Sequence, residues 1–491
     1  MVAKESFSAV KLLAIFTFIR FVFAYFQRSS FHPDEHWQGP EVAYRMIFGS
    51  TEKTWEWFDT VALRSHLHPM IFAIFFKLVS LVNLDFPLVI AYGPRFVQGC
   101  LTAVGDLCFY LIGKKLFGVA SSALATTFYI TSWFSVLSLS RTTSNAADAA
   151  ITLIGIYYLV NQKPLHTTAA ASVCFLIRPP SAIFWLPICI SIALTSPLKT
   201  TMRCLGLALN TILGVCALDR IFYGVEAGWL APWNFLSYNV LMGVAKQYGE
   251  DPWWSYLSAI PLHYLLNFPF VIYGLNKLPR NILIGIGLSL ATLSYSGHKE
   301  LRFISPLFAV LSLGAGSGLT ILASRYKWLM MVSILVHAGN GTFQSRWRGL
   351  GADRLMTFLR AEVKDGESVF FLGCHQTPLR YYLHRKNVKL DYLDCSPLPV
   401  RTNAVSDRDS FFQNPEDFLT LTGRGKSVKI SDWVIVERND KERGNQVHVS
   451  LMKVLNDTWG YRQTGPAFVS GIYGTNAFTF YAMNKTNEQV N

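Results

Sequence analysis

Apolar residues fall in long blocks through the first two thirds of the chain and in short ones after that. The blocks run over roughly 9–26, 69–90, 94–113, 118–138, 146–160, 170–195, 204–222, 255–275, 281–296, 303–323 and 328–338. Several approach the roughly 20 residues that a helix needs to cross a bilayer. The shorter ones fit broken or re-entrant helices buried inside a bundle. The pattern predicts an all-α polytopic membrane protein with about ten spanning helices, in the range 9–12. From Asn340 onward the rhythm changes, with short apolar runs and crowded charges between Arg346 and Asp365. There 367–372 reads as a buried strand, 377–385 as a helix with Pro378 in its first turn, and 388–393 as a strand. Residues 432–437 and 478–482 read as further strands, the last closing the sheet, and 397–425 as loop. Strand, helix and strand at this spacing predict a small α/β domain. The expected division is therefore a membrane module, 1–339, carrying a polar loop over 27–68, and a C-terminal α/β domain, 340–491.

Composition agrees with a membrane setting. Of 491 residues 51% are hydrophobic and only 15% charged, with mean hydropathy +0.29. A soluble domain carries about 25% charged residues, so this chain has too few to cover a water-exposed surface of its size. Arg20 interrupts the first block and no small-residue cleavage site follows, so that block is expected to stay as an uncleaved first helix. Lys4 ahead of it and Lys11 at its start favour a cytosolic N-terminus, which puts 27–68 on the lumenal side. The formal charge of +13 needs no nucleic acid partner, since cytosolic loops and phosphate-bearing membrane lipids account for it. Three glycosylation sequons, at Asn340, Asn456 and Asn484, all lie in the C-terminal segment and point to a lumenal tail. Of eight cysteines only Cys374 and Cys395 fall there; a disulfide between them and two free thiols both fit. No CxxC or His/Cys spacing suits a structural zinc, so no metal is expected.

The densest chemistry stands just after the first apolar block, in Phe31, His32, Pro33, Asp34, Glu35, His36, Trp37 and Gln38. Two adjacent carboxylates between imidazoles, close to a membrane face, suit acid/base work on a lipid-borne substrate. A second cluster is His298, Lys299, Glu300, Leu301, Arg302 and Phe303, where three basic groups bracket one carboxylate. Ionisable groups beside spans are costly and mark sites by default, although a single Arg at a span end is more often snorkelling at the headgroups. Other polar groups at the ends of spans include Arg64, Arg95, Arg141, Arg178 and the pair Asp219 and Arg220.

Together these residues resemble a known family. The stretch 31–38 with Glu41, then Thr54–Trp57, Leu63–Ser65, Gly93–Arg95, Arg141–Asn145, Arg178–Pro179, Asp219–Arg220, Trp233–Phe235, Tyr248–Gly249, His298–Phe303 and Cys374–Pro378 look like dolichol-phosphate-mannose-dependent mannosyltransferases. In order and spacing the pattern is most similar to the PIG-B type, which adds the third mannose of the glycosylphosphatidylinositol (GPI) anchor. The resemblance covers about 20–435 and implies a GT-C fold, residence in the endoplasmic reticulum membrane with a lumenal active site, and no cofactor. It implies dolichyl-phosphate-mannose as donor and a dimannosylated GPI-precursor glycolipid as acceptor, joined in an α1,2 linkage with inversion. Protein partners are not specified by it.

Under that resemblance Asp34 is the expected base, with Glu35 as runner-up or as the group that orients Asp34. His298, Lys299 and Arg302 are expected on the donor phosphate, with Arg64 and Arg141 as weaker candidates. Trp37, Gln38 and His375 are candidates for the acceptor, and His32 is given no role. Competing readings are the fourth GPI mannosyltransferase, an N-glycan-precursor mannosyltransferase of the same family, or a lipid-linked sugar transporter. A transporter would call for mid-span charges and two related halves, and the chain has no visible internal repeat.

Overall fold

Most of the apolar blocks become helices, but many are cut shorter than the blocks themselves. In the computed structural model the described residues are 8–49, 52–224, 231–347, 350–373, 380–384, 386–397, 400, 407–439, 451–470 and 478–485. Among the described residues three helices are long and apolar enough to cross a membrane: Ala9–Phe26, Pro87–Phe117 and Leu198–Tyr223. Ser255–Tyr264 with Phe268–Leu275, bent by 106°, forms a broken fourth. The remaining apolar helices are shorter, among them Leu67–Leu81, Val119–Thr131, Ser144–Val160, Pro164–Ile177 and Ser181–Thr195. Local chemistry explains the cuts. Block 118–138 breaks at Ser132, whose hydroxyl accepts the Ser135 N–H at 3.4 Å to cap a new helix, Trp133–Ser138. Block 170–195 breaks at Arg178, which is extended (φ −142°) because Pro179 excludes the helical conformation from the residue before it.

The chain forms two compact units. The first comprises Met1–Phe26, Glu56–Ile71 and Arg95–Thr342; the second comprises Gln27–Trp55, Phe72–Pro94 and Phe343–Asn491. In the first unit, helix Phe268–Leu275 packs on Ser305–Arg325 so closely that a Cβ at Gly274 would lie 1.6 Å from the Gly314 carbonyl oxygen. Such small-residue contacts let helix backbones meet where lipid offers no hydrophobic drive. Arg20, the interruption in the first helix, is fully buried and bidentate on Asp106, Nε to Oδ2 at 2.7 Å and Nη2 to Oδ1 at 2.8 Å.

The second unit carries a six-stranded mixed sheet: β1 (Ser368–Leu372), β2 (Lys389–Tyr392), β3 (Trp433–Asn439), β4 (Tyr461–Gln463), β5 (Phe468–Ser470) and β6 (Phe478–Lys485). The order is β2-β1-β3-β6-β4, with β5 also on β6; β1 is parallel to β2 and β3, and the pairs made by β6 are antiparallel. The expected strands are present, but β6 does not close the sheet: β4 and β5, which are additional, pair with it beyond β3. Phe370, Leu372, Val434, Val436 and Met483 form its core with Leu393, Phe411, Phe418 and Val428.

Two expectations need correction. Residues 397–425 are not a plain loop: Asp407–Gln413 and Pro415–Leu421 are helices, and Gly423–Ile430 begins there too. Asn414 caps the second, accepting the Asp417 N–H at 3.2 Å, with Pro415 in its first turn; Thr422 caps the third through the Gly425 N–H at 2.9 Å. The expected helix over 377–385 is a turn over 380–384, while 377–379 and 385 lie outside the described residues.

Candidate active site

In the second unit Pro33 (φ −53°) caps a single helical turn, Asp34–Trp37, and its carbonyl accepts the His36 N–H at 2.9 Å. Successive side chains on a helix diverge by about 100°, so the two carboxylates part. Asp34 keeps its side chain 23% exposed, with Oδ1 3.5 Å from His32 Nδ1. The Asp34 backbone N–H donates to that same Nδ1 at 3.2 Å, which leaves the ring proton on Nε2 in the neutral form. His32, which has no role under the sequence reading, thus sits directly beside Asp34.

Glu35 turns inward and is fully buried. Its Oε1 accepts the Phe31 N–H at 3.3 Å and lies 3.1 Å from His36 Nε2. His36 Nδ1 in turn meets the Tyr381 hydroxyl at 2.5 Å. A Glu35–His36–Tyr381 chain therefore ties the turn to the 380–384 segment. Glu35 engages His36, and Asp34 is the carboxylate that remains partly open. Trp37 is 4% exposed and packs edge-to-face on Tyr392 at 5.9 Å, and Gln38 is likewise buried. Neither presents an open face to an acceptor sugar in this arrangement.

The same segment is gripped a second time. Glu41, buried, accepts the backbone N–H groups of Arg380 at 2.9 Å and Tyr381 at 3.5 Å, and Arg380 Nη2 donates to Glu52 at 3.2 Å. Burial pushes the Glu41 carboxyl up from 4.5 to about 8, and the neighbouring Glu52 adds to the shift. A carboxyl raised on folding stabilises fully below its unfolded pKa and loses that contribution as pH climbs towards 8. The detergent-solubilised protein should lose stability from this group between about pH 4.5 and 8, by up to about 1.4 kcal/mol per pH unit. Glu41→Gln, uncharged at every pH, should flatten the melting-temperature profile across that window. Parallel profiles for wild type and variant would refute a protonated Glu41.

In the first unit the basic cluster is stitched to its surroundings. His298 donates from Nδ1 to the Gly249 carbonyl at 3.2 Å and from Nε2 to Glu300 at 3.0 Å, and the latter bond raises its pKa. Arg302 holds Glu300 in a fork, Nε at 2.5 Å and Nη2 at 3.0 Å. Lys299 directs Nζ at the carbonyls of Asp251, Ser296 and Gly297, at 2.8, 2.5 and 3.3 Å. Arg64 pairs with Glu56 at 2.7 Å, and Arg141 is buried with Nε on the Leu137 carbonyl at 2.7 Å.

His375 and Cys374 lie outside the described residues, whereas Cys395 is disulfide-bonded. Of the sequon asparagines, Asn340 is exposed on helix Lys327–Trp347, Asn456 is half-buried in the turn Val454–Thr458, and Asn484 is half-buried in β6. Among the described residues no group of three His, Cys, Asp or Glu side chains is placed to share a metal ion.

The sequence pattern of the Alg9-like mannosyltransferase family matches residues 11–384. The chain belongs to the Alg9-like mannosyltransferase family. It is 32% identical over 461 residues to Mannosyltransferase APTG1 of Arabidopsis thaliana, covering 85% of this chain and 82% of that one. It is 29% identical to GPI alpha-1,2-mannosyltransferase 3 of Homo sapiens over 431 residues, 83% of this chain and 76% of that one. GPI mannosyltransferase 3 of Yarrowia lipolytica gives 29% over 450 residues, 87% and 86%. Among solved structures, ArnT from Cupriavidus metallidurans bound to undecaprenyl phosphate superposes with TM-score 0.60 at 12% identity, over 96% of this chain and 97% of that one. The apo oligosaccharyltransferase of Archaeoglobus fulgidus gives 0.52 at 11% identity, over 100% and 76%. The fold is that of polytopic membrane glycosyltransferases of the GT-C type, and the chain is a mannosyltransferase.

Proposed function

We propose that this enzyme moves mannose from dolichyl-phosphate-mannose to a dimannosylated GPI-anchor precursor, making the α1,2-linked third mannose on the lumenal side of the endoplasmic reticulum membrane. Relatives named GPI alpha-1,2-mannosyltransferase 3 that match over 80–88% of this chain support the acceptor class. The disulfide at Cys395 supports an oxidising lumen around the C-terminal segment.

The observation that carries the chemistry is the contrast between Asp34, partly open, and Glu35, buried against His36. Inversion from a β-linked donor to an α-linked product takes one displacement. The acceptor oxygen attacks the anomeric carbon, Asp34 accepts the hydroxyl proton, and the bond to the phosphate oxygen breaks with its electron pair leaving on the phosphate. Position close to that hydroxyl matters more than the pKa of the base. The departing phosphate is already anionic and calls for positive charge rather than a general acid, which the basic cluster of the first unit is suited to supply.

Microsomes given labelled donor lipid and purified dimannosyl acceptor should yield a trimannosyl product whose label α1,2-mannosidase removes. Label found only on a trimannosyl acceptor or on the N-glycan precursor would overturn this reading in favour of another step within the family.

A further inference from the structure

The two most conspicuous basic groups of the His298–Phe303 cluster have no hydrogen-bonding capacity left. An ammonium has three N–H donors, and Lys299 is matched by three carbonyls. An imidazolium has two, and His298 gives them to Gly249 and Glu300. Lys299 thereby clamps the segment around Asp251 to that around Ser296.

Arg178 is the opposite case. Its position follows from the break between helices Pro164–Ile177 and Ser181–Thr195: the backbone turns extended ahead of Pro179, and the side chain is 9% exposed. One of its five N–H groups, on Nη1, reaches Asp148 Oδ2 at 3.1 Å. The other four have no acceptor among the described residues. Asp148 is itself fixed by the Ser181 hydroxyl, which donates to the same oxygen at 2.5 Å. A nearly buried guanidinium with that many idle donors calls for an anionic ligand.

The location indicates which one. Phe303 gathers three cations around its ring: the Arg302 guanidinium at 5.4 Å from the centroid, that of Arg178 at 6.0 Å, and the His298 ring at 5.7 Å. Helix Ser144–Val160 sets the register of two of them, since Asn145 donates to the Arg302 carbonyl at 2.9 Å and Asp148, one turn on, holds Arg178. The charge of Arg64 also reaches Arg178.

We infer that Arg178 binds the phosphate of the lipid-linked donor directly, through a guanidinium fork beside Phe303, while Lys299 and His298 shape the site and contribute charge. A tetrahedral phosphate monoanion offers the paired oxygens that a fork of guanidinium donors matches. The inference rests on the donor reading above.

The test uses full-length protein in detergent and measures binding of polyprenyl phosphate, polyprenol and inorganic phosphate. Arg178→Gln should weaken polyprenyl phosphate by about 10–100-fold and raise the donor KM to match, with acceptor KM unmoved. Because Asp148 would be left uncompensated, Arg178→Gln/Asp148→Asn is measured in parallel; it should fold and show the same loss. Polyprenol binding should be alike in wild type and both variants. If Arg302→Gln weakens the lipid phosphate while folded Arg178 variants do not, this assignment fails and the donor reading stands. If neither position matters, the cluster is not the donor site. Stabilisation by inorganic phosphate with no response to polyprenyl phosphate would make the ligand a free anion and overturn the assignment.

Discussion

Asp34→Asn should lower kcat by about 10²–10⁴-fold, the range that a positioned general base contributes, with melting temperature and donor affinity close to wild type. Asp34 is on the surface of its turn, 23% exposed, and Asn preserves its size and its ability to accept from neighbours. Only the capacity to take a proton is lost. Glu35→Gln should fail differently. Its carboxylate is buried against His36, which reaches Tyr381, so the amide disturbs a packed hydrogen-bond chain. Removing the charge from one partner costs about 1–3 kcal/mol, visible as a lower melting temperature, and activity should fall through displacement of the turn. The pair is measured side by side, as kcat per folded molecule. Full activity in Asp34→Asn together with a dead, normally stable Glu35→Gln would exchange the roles of the two carboxylates.

Much of this was legible in the sequence because it depends on local pattern. Apolar blocks gave most of the long helices, and alternating or continuous apolar runs gave β1, β2, β3 and β6. Caps gave less than they could have: Asn414 before Pro415, with Asp417 three residues after the cap, is a helix start by its own chemistry, yet the charges around it read as loop. What the chain could not disclose is donor accounting. Lys299 and Arg178 look alike as isolated cations, and only the fold shows one surrounded by carbonyls and the other with donors unspent. The partners of Glu41 and His36 come from Arg380 and Tyr381, more than 300 residues along the chain. No spacing rule links such positions.

The same blindness to distant partners applies to Arg20, and it yields the largest stability effect. Arg20→Met should destabilise the protein by about 3–5 kcal/mol, because Asp106 then stays in the helix bundle as an uncompensated charge. The cost arises from what is left behind rather than from what the ion pair contributed. Arg20→Met/Asp106→Leu removes both charges and should regain most of the loss, since apolar groups of similar volume replace buried ion pairs at little cost or even with gain. The Arg20 side chain also donates to the Ser135 hydroxyl at 3.0 Å and to its carbonyl at 3.3 Å. One guanidinium thus registers three helices: Ala9–Phe26, Pro87–Phe117 and Trp133–Ser138. The double variant should therefore melt near the wild-type temperature but over a broader transition, its helices held by packing without that lock. Thermal unfolding in detergent distinguishes the cases. A double variant as unstable as Arg20→Met alone would show that the Ser135 contacts, and not the orphaned Asp106, carry the penalty.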